Sequence, residues 1–559
     1  MHYPYEGLEP YTLANLFDRS VKLYSKRPAF GWVDGAIMNY DEVAAKVDAL
    51  IKILQENGIK KGDRVALLSE NMPNWPVAYL SITYIGAVVV PILPDFNPAD
   101  VHHILRHSEA QGIFVSSKHQ HTIEELTDSK ISFVINLDRL EPIKDLDNFS
   151  YIDQFRKKIA DKIKKNQEKY RPKEDDLAAL LYTSGTTGHS KGVMLTHKNL
   201  TTNAMSSFSV IKILPEDVFL SILPLAHTFE CTVGMLVPVL HGSSVRYLDK
   251  APTPTILLRA FEKVRPTMML SVPLVIEKIF KNKILTKINA SFITRTLYRF
   301  AFFKKLIHKK AGAKLMETFG GRLRFYGIGG APLPTYVEEF LHDGGIPYVV
   351  GYGLTETAPL LCGTPIDQPK KIGSTGPALY GVEIKIKEPN EKGEGEICAK
   401  SPSVMVGYYK DEAKTKEVFD EDGWFLTGDL GYLDDDGYLF ISGRSKNMIL
   451  GPSGENIYPE QIESIINKHP LVLDSLVLEK DGKLVARVHL DYEQIDKLLH
   501  AQKRPNEEVQ KEIKELLESM RKEINTHLAT FSKITKFIEQ QEPFIKTPTK
   551  KIKRYLYQD

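Results

Sequence analysis

Leu177-Ala-Ala-Leu-Leu-Tyr182-Thr183-Ser184-Gly185-Thr186-Thr187-Gly188-His-Ser190-Lys191-Gly-Val193 is the stretch on which the reading of this chain turns. Its first part, Leu177 to Leu181, is an unbroken apolar run of strand length and reads as a buried strand. The rest packs glycines and hydroxyl side chains into a loop that closes on a lysine. Such a loop can wrap backbone N–H groups and the hydroxyls of Thr183, Ser184, Thr186 and Thr187 around a polyphosphate, with Lys191 adding a point charge. Hydroxyl and glycine residues also make ordinary turns. The spacing excludes a Walker A loop, because the Gly-Lys-Ser/Thr end is missing.

Upstream, helical and strand-like segments alternate. Tyr40 to Asn57 carries Val43, Val47, Leu50, Ile51 and Leu54 at helical spacing. Val65 to Leu68 reads as a strand, Asn74 to Tyr84 as a helix, Val88 to Ile92 as a strand, Pro98 to Ser108 as a helix and Gly112 to Val115 as a strand. This rhythm predicts α/β layers with parallel strands. Pro76 to Pro94 holds no charged residue and approaches membrane-span length, but Gly86, Pro91 and Pro94 break it into a helix and a core strand. The charged stretch Ile152 to Asp176 reads as a solvated helix and connection.

Downstream, Ile384 to Lys387, Gly395 to Ala399 and Gly437 to Ile441 are short strands between Gly/Asp turns, as in a β subdomain. After Gly443-Arg444 the pattern changes. Strands are expected at 448–450, 471–478 and 484–490, with amphipathic helices at 459–468 and 506–525. The expected organisation is an α/β protein with a large N-terminal domain, residues 1–445, and a small mobile α+β domain, residues 446–559.

At 559 residues the chain exceeds one ordinary core. A net charge of +2 gives no reason to invoke nucleic acid. Three scattered cysteines, Cys231, Cys362 and Cys398, fit a reducing compartment without disulfides or zinc spacing. The first residues have neither a basic nor an apolar region of a signal peptide, so a cytoplasmic protein is expected. Residues 278–314 contain eleven Lys/Arg and no Asp or Glu, interleaved with aromatic and aliphatic side chains. That composition suits either an anionic membrane surface or a solvated helical excursion. His102, His103, His107, His119 and His121 cluster locally, but no second ligand motif accompanies them. No G-x-S-x-G elbow is present.

Six further motifs follow the loop in order: Leu223-Pro-Leu-Ala-His227-Thr-Phe-Glu230, Tyr326-Gly-Ile-Gly-Gly330-Ala331-Pro332, Gly351-Tyr352-Gly353-Leu-Thr355-Glu356-Thr357, Trp424-Phe-Leu-Thr-Gly-Asp429, Gly451-Pro-Ser-Gly454-Glu-Asn-Ile-Tyr-Pro459, and Lys546-Thr-Pro-Thr-Lys550-Lys551-Ile-Lys-Arg554. With the loop they span residues 182 to 554. Together they closely resemble the acyl-adenylate-forming superfamily, which includes acyl-CoA synthetases, and within it the long-chain fatty acid–CoA ligases. Two departures stand out. Ser190 replaces the usual proline before Lys191, and Lys550 replaces the usual glycine before Lys551.

The resemblance implies a role for each motif. Residues 183–188 and Lys191 hold the ATP phosphates. Gly330, Ala331, Pro332, Gly351, Tyr352 and Gly353 receive the adenine, with Tyr352 stacked on it, and Thr355 meets the adenylate phosphate. Thr183 and Glu356 ligate Mg²⁺. Asp429 and Arg444 hold the ribose. His227 stands at the acyl entrance, Lys551 bridges the carboxylate and the α-phosphate, Lys446 is the hinge, and Gly454 lines the coenzyme A channel.

The implied reaction is activation of a long-chain fatty acid with ATP, followed by transfer to coenzyme A. The His227-Thr-Phe-Glu230 form, the Val272–Phe280 segment and the basic–aromatic excursion resemble the long-chain enzymes. The excursion would add peripheral contact with the inner membrane surface. Transfer to a carrier-protein phosphopantetheine, a medium-chain or aromatic acid, and a non-catalytic nucleotide sensor stay open at this stage, as does a homodimer.

Overall fold

The computed structural model describes residues 3–143, 171–183, 190–450, 456–480, 482–499, 506–547 and 551–558. Most of the stretch expected as a charged helix and connection, residues 152–170, lies outside them. The chain divides into two compact units. The first comprises Met1–Ile384, Ala399–Phe425 and Asp435–Leu439, and the second Lys385–Cys398, Leu426–Asp434 and Phe440–Asp559.

Two eight-stranded sheets organise the first unit. One runs in the order Gly407–Tyr408, Lys191–Thr196, Leu177–Thr183, Val88–Ile92, Arg64–Leu68, Gly112–Val115, Phe133–Asn136 and Glu141–Pro142. Its central strands are parallel, and its two ends are antiparallel. The other orders Leu360–Gly363, Tyr348–Gly353, Phe325–Ile328, Met268–Ser271, Val218–Ser221, Ser244–Tyr247, Pro28–Trp32 and Ile37–Asn39, again parallel at its centre. Parallel strands covered by helices are buried on both faces, which is why they read as continuous apolar runs.

Local chemistry sets the helix boundaries. Tyr40–Glu56 begins at a capping box: Asn39 Oδ1 accepts from the Glu42 N–H, and Glu42 Oε2 accepts from the Asn39 N–H, both at 2.8 Å. Val43, Val47, Leu50 and Leu54 then face the core. Asn74–Tyr84 is buried almost all round, the expected fate of an uncharged helix in a large domain. Among the described residues, no helix is long and apolar enough to cross a membrane.

In the second unit, Val472–Lys480 and Lys483–Leu490 pair antiparallel, and Lys483–Leu490 pairs parallel with Lys536–Glu539. Ile462, Ile466, Ile513, Leu517 and Met520, from the helices Pro459–Ile466 and Asn506–Asn525, share one core with this sheet. The expected strand at 437–441 forms instead over Leu439–Arg444, because Gly437 is spent in the preceding turn at φ +77°.

Candidate active site

The strands Leu177–Thr183 and Lys191–Thr196 form a hairpin in which Thr183 pairs with Lys191 and Tyr182 with Gly192. The ladder draws together both ends of the glycine–hydroxyl loop. Ser184, Gly185, Thr186, Thr187 and Gly188 themselves lie outside the described residues. Beneath the hairpin, the Tyr182 hydroxyl and His107 Nδ1 are hydrogen-bonded at 2.8 Å. One member of the histidine cluster therefore braces the loop base. Among the described residues, no group of three His, Cys, Asp or Glu side chains could hold a metal.

Lys191 Nζ lies 5.4 Å from the centroid of the Tyr408 ring, within cation–π range. The Tyr408 hydroxyl donates to Glu356 Oε1 at 2.9 Å. Tyr408 sits on the two-residue strand Gly407–Tyr408, which pairs with Val193 and Met194. Nearby, the Met405 N–H donates to the Glu356 carbonyl at 2.8 Å. Tyr408 thus joins the phosphate hairpin to the Glu356 turn. Sequence reasoning missed it, since two residues carry no periodicity.

Glu356 occupies the 3-10 turn Thr355–Thr357, directly after the strand Tyr348–Gly353. Asn203 clamps this turn. Its Nδ2 donates to the Leu360 carbonyl at 2.8 Å and the Thr357 carbonyl at 3.2 Å, and its Oδ1 accepts from the Leu360 N–H. Gly353 is required here because a Cβ would collide with the Pro359 carbonyl. Tyr352 is buried in the strand, whereas Gly330, Ala331 and Pro332 are exposed, with Gly330 at φ +86°. Thr183 and Glu356 offer the hard oxygen donors that Mg²⁺ takes beside phosphate oxygens. Among the described residues, Tyr408 is the only hydrogen-bond donor to the Glu356 carboxylate, whose second oxygen keeps its acceptor capacity. The pair fits a Mg²⁺ that arrives with its nucleotide.

His227 lies in the turn after the strand Val218–Ser221. Its Nδ1 accepts from the Phe229 N–H at 3.2 Å, which leaves the proton of the neutral ring on Nε2. Asn71 holds this turn by donating to Ser221 Oγ (2.9 Å) and the Leu223 carbonyl (2.6 Å) and accepting from the Leu225 N–H (2.8 Å). Ser221 in turn donates to Glu230 Oε1 at 2.6 Å. Glu230 is fully buried, and burial pushes its carboxyl up to about 8. Phe229, two residues after His227, walls an apolar cavity with Val233, Met268, Val349 and Leu360 that reaches Gly351 and Cys362.

The remaining motifs belong to the second unit. Asp429, on the strand Phe425–Leu433, is buried, and Arg444 Nε lies 2.7 Å from its Oδ1. Lys446 is exposed within the turn Ser445–Asn447. Asn447 beside it donates to Glu460 at 2.6 Å. Lys551 is exposed and paired with Thr547: its N–H donates to Thr547 Oγ and its carbonyl accepts from the Thr547 N–H. Three residues on, Arg554 anchors the lysine segment, donating twice to Glu463 (2.6 and 2.5 Å) and once to the Val477 carbonyl. The helix Pro459–Ile466 therefore grips both the hinge turn and the lysine segment. Gly454 lies outside the described residues.

Residues 17–409 match the AMP-binding enzyme family, and the chain belongs to it. Fatty acyl-CoA synthetase A of Dictyostelium discoideum is 29% identical over 95% of this chain and 84% of its own. The peroxisomal long chain acyl-CoA synthetase 6 of Arabidopsis thaliana is 31% identical over 82% of this chain and 70% of its own. Among solved structures, ATP-bound MatB from Rhodopseudomonas palustris is similar with a TM-score of 0.73 at 25% identity, covering 97% of this chain and 98% of the other.

Proposed function

We propose that the protein is an AMP-forming long-chain fatty acid–CoA ligase. The observation that carries the chemistry is the Lys191–Tyr408–Glu356 cluster at the mouth of the phosphate hairpin. Family membership, together with a fatty acyl-CoA synthetase and a long chain acyl-CoA synthetase among the relatives, supports the substrate class.

A carboxylate is a poor acyl donor because its leaving group would be oxide. In the first step a carboxylate oxygen attacks the α-phosphorus of ATP, and the bond to the β-phosphate oxygen breaks, releasing pyrophosphate. The obstacle is repulsion between an anionic nucleophile and a polyanionic nucleotide. Lys191 and the loop amides offset charge on the pyrophosphate side. Mg²⁺, held by Thr183 and Glu356, would supply further charge neutralisation there. Lys551 donates to both the substrate carboxylate and the α-phosphate, and Asp429 accepts from the ribose hydroxyls with Arg444 beside it. His227 positions the acid at the apolar cavity.

In the second step the coenzyme A thiolate attacks the acyl carbonyl, and the bond to the AMP oxygen breaks. Lys551 would obstruct this attack, so the small domain turns about Lys446 and presents Gly454. We further propose a homodimer, and peripheral membrane contact by a face within residues 278–314. Thiol competition tests the acceptor. Purified protein given ATP, a fatty acid and equal coenzyme A and holo-carrier protein is expected to acylate coenzyme A, whereas acylation of the carrier alone would overturn that assignment.

A further inference from the structure

The basic–aromatic segment does not behave as one surface. Its C-terminal part is anchored in the first unit. His308 is fully buried, with Nδ1 2.9 Å from Asp343 Oδ2 and Nε2 2.8 Å from the Tyr298 hydroxyl. Gly312 packs on the Gly344 backbone so closely that a Cβ would collide with it. Lys304 pairs with Glu339 at 2.6 Å, and Leu315 is buried. Positions 304, 308, 312 and 315 therefore fix which side of the helix Ala301–Thr318 faces the protein.

The opposite side, in a helix that only had to stay dissolved, would be polar. Here it carries Phe302 at 74% exposure and Leu306 at 57%, flanked by Lys305, Lys309 and Lys310, all exposed. The short helix Phe292–Leu297 buries no residue and leaves Phe292 at 73% and Ile293 at 69% exposed. Arg295 and Arg299 are exposed beside them, and Phe300 is exposed between the two helices. Isolated exposed apolar residues are ordinary. Six within fifteen residues, counting Phe303, in a stretch from 292 to 306 without one acidic side chain, are not.

We propose that the outer face of residues 292–310 docks on an anionic phospholipid bilayer, with Phe292, Ile293, Phe300, Phe302 and Leu306 entering the headgroup–acyl boundary. Charge complementarity selects this occupant. The chain as a whole is nearly balanced, with 73 Lys/Arg against 71 Asp/Glu, so the one-signed stretch is a local feature. Interleaved lysines and arginines can bury their stems beside the aromatic rings while their heads reach lipid phosphates. Each basic residue near such a surface strengthens binding about fivefold. This deepens the ligase reading, because a membrane-dissolved acid would be collected where the enzyme docks, but lipid binding is measured without turnover.

Sedimentation of the full chain with phosphatidylglycerol/phosphatidylcholine vesicles tests it, using pure phosphatidylcholine as the control. Binding is expected to the anionic vesicles only and to fall with salt. The pairs Phe302→Ser with Leu306→Ser, and Lys305→Glu with Lys309→Glu, are each expected to weaken it tenfold or more without changing the melting temperature. Their ATP-dependent activation of water-soluble octanoate is expected to stay at the wild-type level. Wild type that ignores anionic vesicles, variants that bind unchanged, or a wild-type dimer that both pairs dissociate would overturn the proposal. Vesicle binding by a protein inactive on every acid would instead overturn the ligase reading alone.

Discussion

Arg554→Ala removes the clamp that fastens the Lys551 segment to the helix Pro459–Ile466. The arginine makes two charged bonds to Glu463, whose side chain is 12% exposed, and a third to the Val477 carbonyl. Breaking a buried ion pair from one side costs about 3–5 kcal/mol. Partial exposure of both partners, and the ability of Glu463 to take up a proton, reduce that to about 2–3 kcal/mol. In a unit of roughly 140 residues this lowers the melting temperature by about 6–12 °C.

The deficit depends on pH with a definite sign. Burial already raises the Glu463 carboxyl to about 7, with Arg554 acting in the opposite direction. Without the arginine it rises further, so the folded variant holds a proton that the unfolded chain has released. Stability then falls as pH rises through that folded value. Calorimetry at pH 6.0 and 8.5 is expected to show a larger deficit at the higher pH. Adenylate formation is expected to fall as well, because the lysine segment loses its anchor. A melting temperature within 2 °C of wild type at both pH values would refute the reasoning.

Glu230→Gln keeps a partner for Ser221 but cannot ionise. Since the folded carboxyl titrates at about 8, wild type is expected to lose stability relative to the variant as pH rises from 5 to 9, read by thermal melts. Tyr408→Phe removes the hydroxyl that orients Glu356, and the Mg²⁺ concentration for half-maximal rate is expected to rise about 10–100-fold. Lys551→Ala is expected to lower adenylate formation by about 10²–10³-fold or more. The same variant should still convert pre-made acyl-adenylate with coenzyme A, and equal loss of both halves in a folded protein would remove that division of roles.

Periodicity made the first unit readable. Asn74–Tyr84, Val88–Ile92, Pro98–Ser108 and Gly112–Val115 lie where their apolar patterns placed them, because each is either fully buried or has one buried face. Features fixed by distant partners were not readable. The Tyr408–Glu356 bond joins residues 52 apart, and the Arg554–Glu463 clamp joins residues 91 apart. The sequence marks Glu230 only as the end of the His227-Thr-Phe-Glu230 form, yet it opens a π-helical turn and lies fully buried against Ser221, where Gly234 leaves room for its carboxyl. Composition placed the basic–aromatic segment at residues 278–314, but only the structure separates its outward apolar face from the part buried around His308.

The most direct test of the account is AMP release by the purified protein given Mg²⁺-ATP and palmitate, with and without coenzyme A. A long-chain fatty acid–CoA ligase gives palmitate-dependent turnover that requires coenzyme A and yields palmitoyl-CoA and AMP in equal amounts. Nucleotide binding with no acid-dependent AMP release, for palmitate or any other fatty acid, would contradict it.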